Sequence, residues 1–459
     1  MIRLGVSFPR SVRWLLPAML LGLGLGACHP GAAPTVTPTA TTPPLATVTT
    51  PPTRVDQLSS ARPAVSGHDA LTATATPVAS PTATATVPTA TGTAAPATAT
   101  ATSPALVATP TAHLPATTPT LQGSLPGVAS EITVPPGFHA WRWGEVPDPP
   151  TALAWGPDGR LYVATLNGAI MSFGGDAQSA ERPVTVATGL VTPLGLAFEP
   201  ATHGLYVSRL GGVDRLVDAD GDGQFEGRDK VLDGLPVGRH STDDVEFGPD
   251  GKLYVATGSV DDMGESGQRP QLQAGILRLN ADGLDLELYA SGLRNPYGLA
   301  FDAAGQLWAT DNGGDVPEGQ PDELNRIEQG GDYGWPGCFG VGQASVPGAC
   351  EGTLAPVVTL ASHSSSDGLT VYTDRRFPAA YQGAIFIAQW GSAFADKPAG
   401  QQVVVVYPGD WTVQPFATGF AHPLDVLVDP RDGALWVADF GRADGRSGGV
   451  LYKVGWWGP

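Results

Sequence analysis

The chain has 459 residues, of which 60 are glycine and 44 are proline, so much of it is expected to be turn, loop or low-complexity sequence. Its 44 acidic residues outnumber 25 basic ones, which leaves a formal net charge of −19. This charge argues against nucleic acid and anionic lipid surfaces as partners of the folded part. It leaves calcium and neutral solutes as natural ligands.

The N-terminal third differs in composition from the rest of the chain. Residues 1–27 contain arginines followed by the apolar run WLLPAMLLGLGLGA, which is too short to span a membrane and is typical of an export signal. The run ends at LGAC, which resembles a bacterial lipobox and predicts an acylated Cys28 and an extracytoplasmic protein anchored to the membrane. An ordinary signal peptide with an unrelated cysteine is the alternative. Residues 28–129 are mostly Thr, Ala, Pro, Val and Ser, which predicts a disordered linker.

Residues 130–459 contain a repeated hairpin pattern. In each copy a short alternating apolar strand meets a turn with glycine, and a second strand begins Leu-Tyr or Leu-Trp. Five copies and one looser copy lie at residues 150–165, 193–209, 242–258, 295–313, 422–441 and 368–390. Hairpins at such intervals, without helical periodicity between them, predict an all-β fold, a six-bladed β-propeller. We expect GGVLYKVGW near the C-terminus to pair with the segment near ITVPPGFHAWRW and close the ring.

Two further features are independent of the repeats. Cys338 and Cys350 have eleven residues between them in a chain expected to be exported, which predicts a disulfide, with two free buried thiols as the alternative. The stretch DADGDGQFEGRD fits the spacing of a calcium-binding loop. Its predicted ligand positions are Asp218, Asp220, Asp222, Gln224 and Asp229. No amphipathic helices flank it, so we expect a structural calcium loop rather than an EF-hand, and a solvated acidic turn is the alternative.

Four stretches of the folded part resemble the glucose/sorbosone dehydrogenase family of six-bladed propellers, which use pyrroloquinoline quinone (PQQ) and calcium. They are RNPYGLAF, DNGGD followed by PDELNRIEQGGDYGWPGC, GRHSTDDVEFGPDGKLYVATGS, and HSSSDGLTVYTDRRFPAAYQGAIFIAQWGS. The resemblance implies that His240 is the catalytic base, since neutral imidazole suits removal of a hydroxyl proton while hydride leaves carbon. It also implies that Arg294 and Asn295 contact the cofactor. A solvated loop histidine, a rim salt bridge and a turn cap are the corresponding structural alternatives.

The resemblance also implies a calcium site beside the quinone, with ligands from the backbone carbonyls of a glycine-containing turn. The matching positions for calcium ligands or their supports are Asn312, Gly313, Gly314, Asp322, Glu323 and Tyr333.

Three positions depart from the family pattern. Ala395 stands where sorbosone-type members have an arginine, and Lys397 is the candidate substitute for that cofactor contact. His422 replaces a second family arginine, and the glutamine of some glucose enzymes has no counterpart near Leu190. Each loss removes a charge-assisted contact of about 1.5 to 3 kcal/mol to a tricarboxylate cofactor.

The sequence therefore predicts a PQQ- and calcium-dependent dehydrogenase that oxidises a sugar, sugar aldehyde or polyol and passes electrons to an external acceptor. A non-catalytic calcium-binding propeller that binds a glycan or a protein is the alternative. A calcium lactonase-like propeller is a third interpretation.

Overall fold

The computed structural model describes residues 128–175, 179–262, 264, 270–314, 319–392, 399–443 and 445–458. The predicted signal peptide, Cys28, nearly all of the predicted linker, Ala395 and Lys397 lie outside the described residues. Within the described part of the chain, no helix is long and apolar enough to cross a lipid bilayer.

Four-stranded antiparallel sheets repeat six times along the chain, which confirms the predicted six-bladed propeller. The strands, in chain order, are β1 Phe138–Val146, β2 Pro150–Trp155, β3 Leu161–Thr165, β4 Ile170–Phe173, β5 Val184–Ala187, β6 Leu196–Phe198, β7 Leu205–Arg209, β8 Gly212–Val217, β9 Gly227–Asp233, β10 Thr242–Phe247, β11 Leu253–Thr257, β12 Gly275–Leu279, β13 Glu287–Ser291, β14 Pro296–Phe301, β15 Leu307–Asp311, β16 Glu323–Ile327, β17 Gly331–Asp332, β18 Cys338–Phe339, β19 Gln343–Ala344, β20 Val358–Thr359, β21 Ser366–Val371, β22 Ile385–Gln389, β23 Gln402–Val406, β24 Val413–Thr418, β25 Pro423–Val428, β26 Leu435–Asp439 and β27 Gly449–Trp456. Short 3-10 helices span Pro270–Leu272 and Ala379–Tyr381.

We number the blades by their first strands. Blade 1 is β2-β3-β4-β5, blade 2 is β6-β7-β8-β9, blade 3 is β10-β11-β12-β13, blade 4 is β14-β15-β16-β20, blade 5 is β21-β22-β23-β24, and blade 6 is β25-β26-β27-β1. The short strand β17 adds to blade 3 in parallel, and β18 and β19 form a separate small hairpin.

The hairpin turns follow from the repeated Asp-Gly pair. In blade 1, Gly159 has a φ of 75°, a region that L side chains rarely adopt. The Asp158 carboxylate accepts hydrogen bonds from the Arg160 N–H at 3.1 Å and from the Tyr162 hydroxyl at 3.1 Å. Blade 3 repeats the same contacts around Asp250. The Leu-Tyr that follows the turn in both blades therefore locks the turn as well as beginning a strand.

The ring is closed by the two ends of the folded part. Strand β1 pairs with β27 in antiparallel register, from Phe138 opposite Trp456 to Val146 opposite Gly449. This confirms the pairing expected from the sequence, and it covers a strand edge that would otherwise be exposed.

The first strands of neighbouring blades contact each other around the ring. Two carboxylates join them, since Asp244 of blade 3 accepts the Leu299 N–H of blade 4 at 2.9 Å and Asp425 of blade 6 accepts the Leu153 N–H of blade 1 at 2.7 Å. Six buried apolar clusters fill the spaces between adjacent blades in the described residues. Because every blade repeats one strand order, residues that precede the first strands share one face of the ring.

A disulfide joins Cys338 to Cys350, as the sequence predicted. Replacing both cysteines with serine is expected to lower the free energy of unfolding by about 3 kcal/mol, because the unfolded chain regains conformations that the crosslink excludes. Guanidinium unfolding of the oxidised protein, the reduced protein and the double variant measures this difference. A double variant as stable as the oxidised protein would contradict it.

Candidate active site

His240 lies two residues before β10, on the face shared by the starts of the first strands. Its backbone N–H donates to the Ser259 carbonyl at 3.1 Å, which ties this turn to the end of the same hairpin. The side chain is 15% exposed, and its Nε2 is buried with no hydrogen-bond partner within the described residues. The backbone of His240 is therefore fixed by the hairpin, and Nε2 of its ring remains available to a ligand.

Arg294 and Asn295 directly precede β14 on the same face. The buried Asp311 carboxylate at the end of β15 accepts the Arg294 N–H at 3.0 Å and the Asn295 N–H at 2.6 Å. The Ser259 N–H in turn donates to the Arg294 carbonyl at 2.8 Å. The turns that carry His240 and Arg294 are thus linked through Ser259, although they belong to different blades.

Asp262 connects the cationic side chains of the site. Its Oδ1 accepts hydrogen bonds from Nη2 and Nε of Arg294 at 2.5 and 3.2 Å, and its Oδ2 lies 2.7 Å from Nη1 of Arg239. The same Oδ1 lies 4.0 Å from Nε2 of His240. Asp262 was not predicted from the sequence, because it lies 32 residues from Arg294 and no spacing rule relates the two.

Gly258 explains how His240 and Asn295 approach each other. A Cβ atom added to Gly258 would lie 2.3 Å from Oδ1 of Asn295 and 2.4 Å from Cβ of His240. A side chain at this position would therefore displace both groups. Gly258 is therefore required because no larger residue fits between His240 and Asn295.

The charge state of His240 follows from its surroundings. Burial lowers its pKa well below the usual value, and the positive charges of Arg294 and Arg239 lower it further. The imidazole is therefore neutral at pH 7 and can accept a proton.

The predicted calcium turn at Asn312 to Gly314 is held by its N–H groups. The Gly313 N–H donates to Oδ1 of Asp322 at 3.1 Å, and the Gly314 N–H donates to Oε1 of Gln320 at 2.9 Å. The Asn312 carbonyl accepts Nη1 of Arg294 at 3.0 Å. This carbonyl therefore orients the guanidinium, and the role of Asn312 as a calcium ligand stays a prediction.

Two other residues of the predicted calcium set hold the loops around this turn. The Tyr333 hydroxyl donates to the Arg326 carbonyl at 2.7 Å and accepts the Glu328 N–H at 2.9 Å. Glu323 accepts the Gly340 N–H at 2.6 Å and an Asn325 amide hydrogen at 3.0 Å.

Asp322 joins the calcium turn to blade 5. Besides the Gly313 N–H, its carboxylate accepts the Ser364 hydroxyl at 2.8 Å and the Ser366 N–H at 3.0 Å. With both oxygens bonded, Asp322 is placed to position the turn.

The acidic loop of blade 2 gathers a different set of carboxylates from the predicted one. One oxygen each from Asp218, Asp220, Asp222 and Glu226 lies within 4.8 Å of the others. Asp229 is outside this group, because the chain has already entered β9, where Asp229 pairs with Arg215 on β8. Glu226 therefore replaces Asp229 as the fourth carboxylate. The Gln224 N–H donates to Oδ1 of Asp222 at 2.8 Å.

His422 precedes β25 in the same way that Asn295 precedes β14. Asp439 accepts the Ala421 and His422 N–H groups, both at 2.8 Å, which repeats the Asp311 arrangement in blade 6. The His422 ring stacks on Trp390 with centroids 4.0 Å apart, and its Nδ1 lies 2.9 Å from the Trp390 carbonyl. Because a carbonyl only accepts, Nδ1 carries the proton in this contact.

Buried carboxyl groups line the inner strands and predict a pH-dependent stability. Burial raises the pKa of Glu246 to about 8, with a further contribution from Asp425, and burial raises the pKa of Asp425 and of Glu323 to about 7. The folded protein therefore binds protons near neutral pH that the unfolded chain releases above its ordinary carboxyl pKa.

The free energy of unfolding is accordingly expected to fall as the pH rises from about 5 to about 8. His240 has the opposite effect on the free energy of unfolding, but only below its ordinary pKa of 6.5. In that range the unfolded chain binds a proton at this histidine and the folded protein does not, so the folded state loses stability as the pH falls. Urea unfolding in a chelator at pH 5, 6, 7 and 8 measures the trend. Stability that rises steadily over this interval would contradict it.

Comparison with known proteins adds to this geometry. A sequence model of the family described as glucose/sorbosone dehydrogenase matches residues 148–394, which is more than half of the chain. The chain belongs to the glucose/sorbosone dehydrogenase family. This family match spans blades 1 to 4 and the first two strands of blade 5, and it includes His240, Arg294 and Asn295.

Among family relatives, quinoprotein glucose dehydrogenase B of Acinetobacter calcoaceticus is 27% identical over 249 residues, covering 42% of this chain and 51% of that protein. The aldose sugar dehydrogenase YliI of Escherichia coli K12 is 28% identical over 180 residues, covering 33% and 46% respectively. The chain thus spans about half the length of the curated relatives it matches.

Solved structures of similar fold include an aldose sugar dehydrogenase of Streptomyces coelicolor with PQQ bound. It aligns with a TM-score of 0.55 and 24% identity, covering 70% of this chain and all of that one. The PQQ domain of a pyranose dehydrogenase from Coprinopsis cinerea aligns with a TM-score of 0.58 and 15% identity, covering 71% and 97%. At these identities the likeness concerns the fold.

Proposed function

We propose that the chain is a PQQ- and calcium-dependent dehydrogenase that oxidises a sugar, a sugar aldehyde or a polyol. One observation carries the proposal: a buried neutral imidazole, with Nε2 free of hydrogen bonds within the described residues, lies in the same charge network as the Arg294 guanidinium. The family match and the PQQ-using relatives support the same chemistry.

The site offers the two groups that this oxidation requires. One is a proton acceptor for the substrate hydroxyl, and the other is a positive charge beside the quinone. His240 takes the hydroxyl proton of the substrate at Nε2. Arg294, aligned by Asp262 and by the Asn312 carbonyl, stabilises negative charge that develops next to it. When bound, PQQ would accept the hydride that leaves the substrate carbon, and an external acceptor would take up the two electrons. The carbonyl groups of Gly313 and Gly314 are the proposed protein ligands of the calcium ion beside the quinone.

A titration tests this function. We expect the calcium-loaded protein to bind PQQ saturably and to reduce a redox dye when aldoses or polyols are added. Absence of both saturable binding and PQQ-dependent reduction would refute the dehydrogenase.

The second candidate is a non-catalytic propeller that binds a glycan or a protein. His422 favours it, because the imidazole stacked on Trp390 replaces a guanidinium that would contact the cofactor carboxylates. Glycan-array binding in calcium without any PQQ binding would support this candidate.

We further propose that the acidic loop of blade 2 holds a structural calcium ion through Asp218, Asp220, Asp222 and Glu226. Four carboxylates this close together repel each other unless a cation lies between them. An Asp220→Asn/Asp222→Asn variant should lose part of the calcium-induced rise in Tm, and an unchanged rise would refute the site.

For localisation, we propose that Cys28 is acylated and holds the propeller at the outer side of a bacterial membrane. Metabolic labelling with an alkyne fatty acid should mark the wild type and not a Cys28→Ser variant. Equal labelling of both would refute the anchor.

A further inference from the structure

Two buried side-chain oxygen atoms, one in blade 3 and one in blade 4, have no hydrogen-bond partner within the described residues. Within the described residues, neither Oδ2 of Asp243 nor Oδ1 of Asn312 receives a hydrogen bond. Asp243 is 1% exposed and Asn312 is 8% exposed, so bulk solvent does not replace the missing donors. A buried polar atom left unsatisfied costs about 1 to 3 kcal/mol, so a ligand that satisfies both atoms is strongly favoured.

The residues concerned come from three consecutive blades. Asp243 lies on β10 of blade 3, Asn312 follows β15 of blade 4, and Asp367 lies on β21 of blade 5. The Asn312 amide nitrogen donates to Oδ1 of Asp367 at 3.1 Å, which holds the amide group against that carboxylate. Among charged groups, Asp367 makes the largest electrostatic contribution at Asp243.

The neighbouring carboxylate on the same strand shows that burial alone does not leave an oxygen unsatisfied. Asp244 accepts the Val245 N–H at 2.8 Å and the Leu299 N–H at 2.9 Å, so both of its oxygens are bonded. Within the described residues, Oδ2 of Asp243 has no such donor, and the negative charges of Asp367, Asp244 and Asp311 act on this carboxylate. On β10, the Asp244 carboxylate therefore joins blade 3 to blade 4, whereas Oδ2 of Asp243 has no such function.

The chemistry of the missing partner follows from the atoms that lack one. Both are acceptors, and the charged groups that act on Asp243 are carboxylates. One proton on Asp243 would satisfy a single oxygen and would leave the Asn312 oxygen as it is. A divalent cation satisfies both oxygens and neutralises the repulsion between Asp243 and Asp367. Carboxylate and amide oxygens without sulfur or imidazole are the ligand set that Ca²⁺ prefers.

We propose that Asp243, Asn312 and Asp367 form a calcium site where the inner parts of blades 3, 4 and 5 meet. Its ligands are side-chain oxygens from three blades, whereas the cofactor calcium is proposed on the carbonyls of Gly313 and Gly314. The inference does not depend on the dehydrogenase activity, since the site needs no quinone. Burial raises the pKa of Asp243 and of Asp367 well above the usual range, which is the cost that a bound cation removes.

The test uses the cofactor-free protein in an Asp220→Asn/Asp222→Asn background, so that the acidic loop does not contribute. Bound calcium is counted by equilibrium dialysis, and the calcium-induced change in Tm is measured in parallel. Adding Asp243→Asn should remove one calcium ion per chain and most of the remaining Tm increase. The matched control is Asp244→Asn, whose carboxylate is already hydrogen-bonded, and it should keep the calcium stoichiometry of the background.

Equal calcium stoichiometry and an equal Tm increase in the Asp243→Asn and background proteins would overturn the proposal. That result would mean that a proton or a water molecule satisfies Asp243. If the Asp243→Asn protein does not fold, Asp367→Asn is measured in the same way, with the same two outcomes. Because no quinone or sugar is present, neither outcome bears on the proposed dehydrogenase.

Discussion

A His240→Gln variant is expected to lose about 10²- to 10⁴-fold in kcat/KM for dye-coupled aldose oxidation. Glutamine keeps a polar side chain of similar reach, but it cannot accept a proton at neutral pH. The backbone contact to Ser259 does not involve the side chain, so folding and PQQ affinity should change little. Steady-state kinetics, PQQ titration and thermal unfolding of the same preparation measure the three quantities.

The pH dependence of kcat/KM is a second test of His240 as the catalytic base. Because the pKa of His240 is held well below its ordinary value, kcat/KM of the wild type should show no decline near pH 6.5 when the pH is lowered. The control is His139→Gln on β1, in the outer strand of blade 6, which should leave kcat/KM unchanged. A His240→Gln enzyme with more than a tenth of wild-type kcat/KM would refute His240 as the base.

An Asp311→Ala variant is expected to lose about 3 kcal/mol of stability, since two buried backbone donors lose their acceptor. The same change releases the turn that carries Arg294 and Asn295, so kcat/KM should fall as well. Urea unfolding and dye-coupled kinetics measure both effects.

Asp439→Ala is the matched control for this prediction. Asp439 makes the same pair of backbone contacts in blade 6, where they hold Ala421 and His422, and it also accepts the Gly441 N–H at 3.0 Å. Asp439→Ala should therefore be destabilised at least as much as Asp311→Ala, while Asp311→Ala loses more activity. Equal losses of activity would show that the Arg294 turn has no special role.

Local patterns predicted the architecture of this chain well. The alternating strands and glycine-containing turns predicted six hairpins, because the contacts that form a hairpin lie within about twenty residues of each other. The pairing of β1 with β27 was predicted from the need to cover a strand edge. The Asp311 and Asp439 arrangements also had a signal in the sequence, since WATDNG and WVADFG end equivalent strands with aspartate.

Contacts between blades were not predictable in the same way. Asp262 reaches Arg294 from another blade, and Asn312 meets Asp367 across 55 residues. Nothing in the spacing of these residues identifies their partners, because the distances are set by the packing of whole sheets. The family pattern placed His240 and Arg294 correctly on one face, but it did not identify the aspartate that connects them.

The pairing of β1 with β27 also has a consequence for the order of folding. Blades 1 to 3 and blade 5 consist of strands consecutive in sequence, so each can form soon after its own residues are available. Blade 6 cannot be completed until β27 has been synthesised, because its strand β1 precedes β27 by about three hundred residues. Long-range pairing of this kind is slow. We therefore expect an intermediate with an open ring, whose lifetime depends on the rate of this final closure.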